Sequence, residues 1–204
     1  MDGGYDNGYK ACPCFWGREP GSLIKLLSQH LSSFQGIFVL DVGCGEGKNS
    51  FYLASKGALV DALDVSEFAI KNARINWPAS ENINWQIADV RDMTLLDFHY
   101  DLAIAYGLLH CLSDTDQIMK TINKLKGATK VGGYNIVCAF NNRSQDLRAH
   151  PDFSPCLVGH DFYASFYADW ELLECSDSDL TESHPHNMIT HTHSMTRILA
   201  RKLL

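Results

Sequence analysis

The run VLDVGCGEGKN, Val39 to Asn49, sets Gly43, Gly45 and Gly47 at alternate positions directly after an apolar stretch that carries Asp41. Glycines so spaced at a strand-to-helix junction let the backbone turn sharply and a ligand approach closely, and the helix N-terminus that follows favours anionic groups. Three loop chemistries compete for this pattern. A phosphate-binding P-loop would need glycine at position 42 and Ser or Thr after the lysine, where the chain has Val42 and Asn49. A dinucleotide fingerprint would need its third glycine at position 48, which is Lys48. What remains is a glycine-rich turn paired with Asp64, at the end of the next apolar run and placed to bind ribose hydroxyls.

A second cluster is HPHNMITHTH, which holds four of the nine histidines. On extended backbone His184 and His186 share one face, as do His191 and His193. With a turn at 187–190 the two pairs would oppose one another across a hairpin, near enough to share a metal ion. The competing readings are an active-site rim and an exposed hairpin, for which Thr190 and Thr192 are well suited. Cys12 and Cys14 form a lone C-x-C, and the second pair that a zinc site needs is absent nearby.

The elements that must position these groups alternate. Leu23, Leu26, Leu27 and Leu31 lie at helical spacing within Ser22 to Ser32. GIFVLDVG then reads as a buried strand, KNSFYLASKG as a helix, ALVDALD as a strand and SEFAIKNARIN as a helix capped by Ser66 and stopped by Pro78. INWQIAD and YDLAIAYGLLH supply two more strands, and a helix from about Asp114 to Lys126 precedes the strand YNIVCAF. Five strands alternating with helices predict an α/β sheet, largely parallel and covered on both faces. After Phe140 the rhythm becomes irregular and aromatic. ELLEC and HSMTRILARK then predict an antiparallel hairpin joined by the histidine segment.

Bulk properties narrow the partners. At 204 residues and 46% hydrophobic composition the expectation is a single domain over 1–204: an N-terminal lid and helix (1–35), a ligand-binding half (36–140) and a substrate-side half with the hairpin (141–204). A formal charge of −7, from 17 Lys+Arg against 24 Asp+Glu, disfavours nucleic acid and anionic membrane as partners. No basic leader and no spanning apolar run is evident, and seven scattered cysteines fit reduced thiols, so a soluble cytoplasmic protein is expected.

These motifs together resemble the class I S-adenosylmethionine-dependent methyltransferases. LDVGCGEG is similar to the first motif of that family, DALDVS to its ribose-binding acid, IADV to its adenine-side acid and YDLAIAYGLLHCL to its strand-four motif. The resemblance implies a Rossmann-like three-layer sandwich, α/β, with a seven-stranded, mostly parallel sheet whose last strand is antiparallel. It also implies S-adenosyl-L-methionine as cofactor and S-adenosyl-L-homocysteine as product, held by Asp41, Gly43, Cys44, Gly45, Gly47, Asp64, Val65, Asp89, Val90 and Tyr106. Within the family the compact form is most similar to the tellurite-resistance-type small-molecule methyltransferases, which methylate soft chalcogen species.

Methyl transfer from a sulfonium is an in-line displacement, so alignment matters most and no metal is required. A thiolate or selenide-like anion is already nucleophilic, whereas an alcohol or N–H compound needs proton removal. His110, with Tyr106, is the candidate base if one is used. Tyr9, Trp16, Arg143, His184, His186 and His191 are the expected substrate contacts, with the aromatic N-terminal segment as a lid. The alternatives are an O- or N-methyltransferase of a small natural product that uses a histidine base, and a non-catalytic protein that senses the cofactor or a metal. The partner expected is a small molecule, and the choice between monomer and homodimer stays open.

Overall fold

The computed structural model describes residues 5–78, 80–149, 153–183 and 188–204. Seven strands form one sheet: β1 (Phe38–Val42), β2 (Leu59–Asp64), β3 (Ile83–Ile87), β4 (Tyr100–Tyr106), β5 (Thr129–Gln145), β6 (Glu171–Glu182) and β7 (His191–Arg201). Their order is β3-β2-β1-β4-β5-β7-β6. The first five pair in parallel, and β7 runs antiparallel to both β5 and β6. The chain winds outward from β1 in one direction and from β4 in the other, which opens a crevice at their carboxyl ends.

Alternation along the strands divides the core between two faces. Leu40 and Val42 of β1, Ala103 and Ala105 of β4 and Val137 and Ala139 of β5 pack with Ile118, Ile122 and Leu125 of helix α5 (Thr115–Ala128) and Tyr163 of α6 (His160–Ser165). The intervening residues Val39, Leu102, Ile104, Ile136 and Cys138 meet Leu23, Ile24 and Leu27 of α2 (Ser22–Leu27) and Leu53 of α3 (Lys48–Ser55). Period-two alternation thus builds the three-layer sandwich expected. Helix α4 (Glu67–Asn76) starts where its cap was read: the Ala69 amide donates to Ser66 Oγ at 3.1 Å.

Several bounds differ from the expectation. Helix α2 stops at Leu27 because Gln29 and His30 donate to Leu26 and Leu27, i→i+3 bonds that tighten the last turn and end the α pattern. Helix α1 (Asp6–Ala11) and α6 lie in stretches without a readable period. Strand β6 outruns ELLEC because it is an edge strand, largely exposed on both faces, whose extent is set by pairing with β7. That pairing sets Glu182 opposite His191 and Leu180 opposite His193, while the expected turn at 187–190 begins outside the described residues. His184 and His186 lie outside the described residues. Among the described residues no helix is long and apolar enough to cross a membrane, and all seven cysteines are free thiols.

Candidate active site

The carboxyl ends of β1, β2 and β4 open into a cavity of about 410 Å³. Gly43, Cys44, Gly45, Asp64, Val65, Ala88, Asp89 and Val90 line one end of it. The turn requires glycine. Gly47 has φ +77°, and a Cβ there would come within 2.1 Å of the Trp85 ring. Asp64 accepts from the Gly45 amide at Oδ2 (2.8 Å) and from the Ser66 amide at Oδ1 (2.9 Å), so the carboxylate that ends β2 also shapes the loop. Each of its oxygens keeps lone-pair capacity for a ligand hydroxyl. Burial pushes the Asp64 carboxyl up, while the Ser66 and Gly45 amides pull it back toward ionisation. Asp89 is held by the Arg91 guanidinium, with Nε 2.9 Å from each carboxylate oxygen, and its pKa is lowered by that contact.

Asp41, expected among the cofactor contacts, is not part of the cavity wall. It is 1% exposed and accepts from Ser50 Oγ at 2.6 Å, which fastens the first turns of α3 to the end of β1. Burial pushes its carboxyl up to about 7, with the neighbouring Asp64 raising it further and Ser50 opposing. Its role is to place the loop.

The N-terminal segment covers the opening. Tyr5, Tyr9 and Trp16 line the cavity, and Trp16 Nε1 donates to the Tyr9 hydroxyl at 3.2 Å. The buried Glu46, unremarked in the sequence, ties this segment down by accepting from the Cys14 amide and from Asn72 Nδ2, both at 2.9 Å. Asn72 Nδ2 also donates to the Tyr9 carbonyl at 2.8 Å, and Ser66 Oγ to Asp6.

Tyr106 and His110 both reach the cavity. His110 is 1% exposed, stacks on Phe140 with centroids 4.1 Å apart, and accepts from the Phe140 amide at Nδ1 (3.1 Å). A neutral imidazole with Nδ1 so engaged carries its proton on Nε2, which makes it a donor rather than a base. Burial pushes the Tyr106 hydroxyl well up, so it too stays protonated. Arg143 is not brought to the cavity. It forms ion pairs with Asp177 (2.9 Å) and Asp179 (2.6 Å), because β5 carries it past the core to the exposed face of β6. His191 is buried behind the wall rather than exposed on a hairpin.

The opposite end of the cavity was not legible in the sequence. Lys48 from α3, Leu180 and Glu182 from β6, and Met195 and Arg197 from β7 converge there. Lys48 donates to the Trp16 carbonyl at 2.9 Å and loses basicity through burial, while the charge of Glu182 opposes that loss. The available signal was the period of two in β7, which puts His191, His193, Met195 and Arg197 on one face.

With this geometry in view, comparison with known proteins is specific. The family described as tellurite resistance protein TehB matches residues 29–192. The chain is 31% identical over 143 residues to a Haemophilus influenzae protein named "Probable S-adenosyl-L-methionine-dependent methyltransferase TehB", covering 69% of this chain and 48% of that protein. It thus spans about half the length of that relative. It is 29% identical over 175 residues to a ubiquinone biosynthesis O-methyltransferase of Coxiella burnetii, covering 80% of this chain and 73% of that protein. The crystal structure of TehB from Haemophilus influenzae aligns with a TM-score of 0.74 at 24% identity, over 89% of this chain and 62% of that one, a likeness of fold.

Proposed function

This chain belongs to the family of the tellurite resistance protein TehB, and from that premise we propose that it is an S-adenosyl-L-methionine-dependent methyltransferase whose acceptor is a small, soft nucleophile of the chalcogen or thiol type. The observation that carries the reading is the continuity of one cavity, from Asp64 and Asp89 at one end to Lys48, Glu182 and Arg197 at the other. The residues present fit the cofactor. Asp64 offers lone pairs to a ribose diol, and Ala88 and Val90 offer apolar contact to a flat base. A Cβ on Gly45, at φ +55°, would stand 3.0 Å from the Tyr9 hydroxyl and take up the space in which a ligand is cradled.

S-adenosyl-L-methionine, when bound, supplies a methyl group on a sulfonium sulfur and leaves as S-adenosyl-L-homocysteine. The protein's contribution is alignment and exclusion of water. The glycine loop, fixed from below by Asp41 and from the side by Asp64, holds the cofactor end rigid, and Tyr5, Tyr9 and Trp16 close the top. Lys48 and Arg197 set positive charge in the wall at the far end, which suits an anionic acceptor.

A soft nucleophile is favoured over a phenol or an amine by the state of the two groups expected as bases. His110 presents a donor and Tyr106 keeps its proton, so neither is set to take one from the acceptor. The test is release of S-adenosyl-L-homocysteine across a panel of selenite and tellurite with thiol reductant, simple thiols, phenols and amines. Turnover concentrated in the chalcogens and thiols is the expected result. Turnover confined to phenols or amines would overturn the substrate class, and tight cofactor binding with no product from any member would overturn catalysis.

A further inference from the structure

The histidine segment finds its chemistry in a set of residues that local spacing did not pair. Glu182, His191 and His193 each bring one potential ligand atom to within 4.8 Å of the others. His191 Nε2 lies 3.9 Å from Glu182 Oε1. The two imidazoles follow one another on the same face of β7, and Glu182 stands opposite His191 in the pairing with β6.

The tautomers are settled by what surrounds each Nδ1. His191 Nδ1 lies 2.7 Å from the Ile189 carbonyl, which can only accept, so this nitrogen carries the proton and Nε2 the lone pair. His193 Nδ1 lies 2.7 Å from Gln145 Oε1. The Gln145 amide is itself oriented, because its Nε2 donates to the Asn141 carbonyl (2.7 Å) and the Ser194 carbonyl (2.8 Å). His193 Nδ1 is therefore also a donor, and its Nε2 holds the lone pair. Imidazoles whose Nδ1–H is committed to a carbonyl or amide oxygen, with Nε2 presented beside a carboxylate, have the supporting contacts that orient metal ligands.

We propose that Glu182, His191 and His193 bind a divalent transition-metal ion of the zinc type at the substrate end of the cavity. Two imidazoles and one carboxylate form a donor set that such ions use in sites with an open position. Ligand atoms around a tetrahedral ion lie roughly 3.3 Å apart for bonds of about 2.0 Å, so the trio must contract by about 1 Å or more at its widest. Glu182 is the last residue of β6 and its side chain is only partly buried. Glu182 lines the cavity while the histidines are 2% and 0% exposed behind it, so the open position faces the cavity. A thiolate or chalcogen oxyanion would occupy it; this last assignment alone rests on the proposed methyl transfer.

Histidines that serve only as packing would also be buried, and His193 does stack on Phe140 with centroids 4.1 Å apart. The experiment separates the two cases. The full chain, stripped with chelator, is titrated with Zn²⁺ by calorimetry and with Co²⁺ by visible absorption. One equivalent of each ion is expected, with cobalt giving the visible bands of a four-coordinate site. Changes to residues that merely support a ligand cost about 10–100-fold in affinity, so Glu182→Gln and His191→Gln should each cost at least that. S-adenosyl-L-homocysteine binding should remain in both variants. The double variant Cys12→Ser/Cys14→Ser should bind as the parent does. Absence of stoichiometric binding, binding indifferent to Glu182→Gln and His191→Gln, or loss of binding in the cysteine control would overturn the proposal. Cobalt absorption is read without cofactor, so failure of the methyl-transfer reading leaves this result intact.

Discussion

On the proposed function, Asp64 is the residue on which cofactor recognition turns, and the structure distinguishes two ways of altering it. Its two oxygens each accept one backbone N–H, from Gly45 at 2.8 Å and Ser66 at 2.9 Å, which leaves one lone-pair direction apiece for the ribose diol. Asp64→Ala removes both ligand bonds. At about 1.5–3 kcal/mol for each hydrogen bond to a charged group, the loss is about 3–6 kcal/mol, or roughly a hundredfold to ten-thousandfold in affinity. Asp64→Asn looks conservative but is not. Whichever way the amide turns, its NH₂ faces either the Gly45 or the Ser66 N–H, donor against donor. That unmet donor, at about 1–3 kcal/mol, lowers stability with or without ligand. The neutral amide exchanges two charge-assisted ligand bonds for neutral ones at about 1 kcal/mol less each, so about 10–100-fold in affinity is expected for Asn. The assay is calorimetric titration with S-adenosyl-L-homocysteine, with thermal unfolding to show that both variants are folded. A folded Asp64→Asn protein that binds within about threefold of the parent would refute the reasoning, because it would mean that the carboxylate does not both shape the loop and meet the ligand.

Asp41 makes stability depend on pH in the direction opposite to a salt-bridged acid. Its carboxyl sits near 7 in the folded chain against about 3.9 unfolded, so the folded state retains a proton that the unfolded state has lost. Stability should fall as pH rises from about 4 to 7, by an amount on the order of 4 kcal/mol, and Asp41→Asn should flatten that slope; urea titrations across the range would show it, and an unchanged slope would count against it. Gly47→Ala combines a left-handed backbone with a Cβ 2.1 Å from Trp85, so a loss of about 2–4 kcal/mol in denaturant unfolding is expected. A variant as stable as the parent would mean that Trp85 yields freely. Asn72→Ala cuts the ties to the Tyr9 carbonyl and Glu46, and should speed proteolytic cleavage of the N-terminal segment before Ser22 without unfolding the sheet. Arg197→Gln should raise the KM for an anionic acceptor roughly tenfold while leaving S-adenosyl-L-homocysteine affinity unchanged; a change in the latter alone would place Arg197 on the cofactor side.

What local sequence determined here is what depends on near neighbours along the chain. The glycine loop, the acid that ends β2, the Ser66 cap and the alternation that sorts Leu40 from Val39 all follow from the few residues around them, and each stands where the pattern put it. The glycine-loop end of the cavity was legible for that reason, because it is built from consecutive strand ends. Asp41 shows the limit of such reading. The motif marks the position, but only packing decides that the carboxyl is sealed under α3 rather than open to the cavity. Arg143 likewise has the right chemistry for an anion, yet β6 meets it with Asp177 and Asp179. The far end of the cavity gathers Lys48, Glu182 and Arg197 from across the chain, and His191 stands opposite Glu182. Strand register is set by burial and pairing over the whole length of β5, β6 and β7, and a shift of one residue would turn every side chain to the other face. Spacing within ten residues therefore could not decide which histidine meets which partner; the closure of the sheet did.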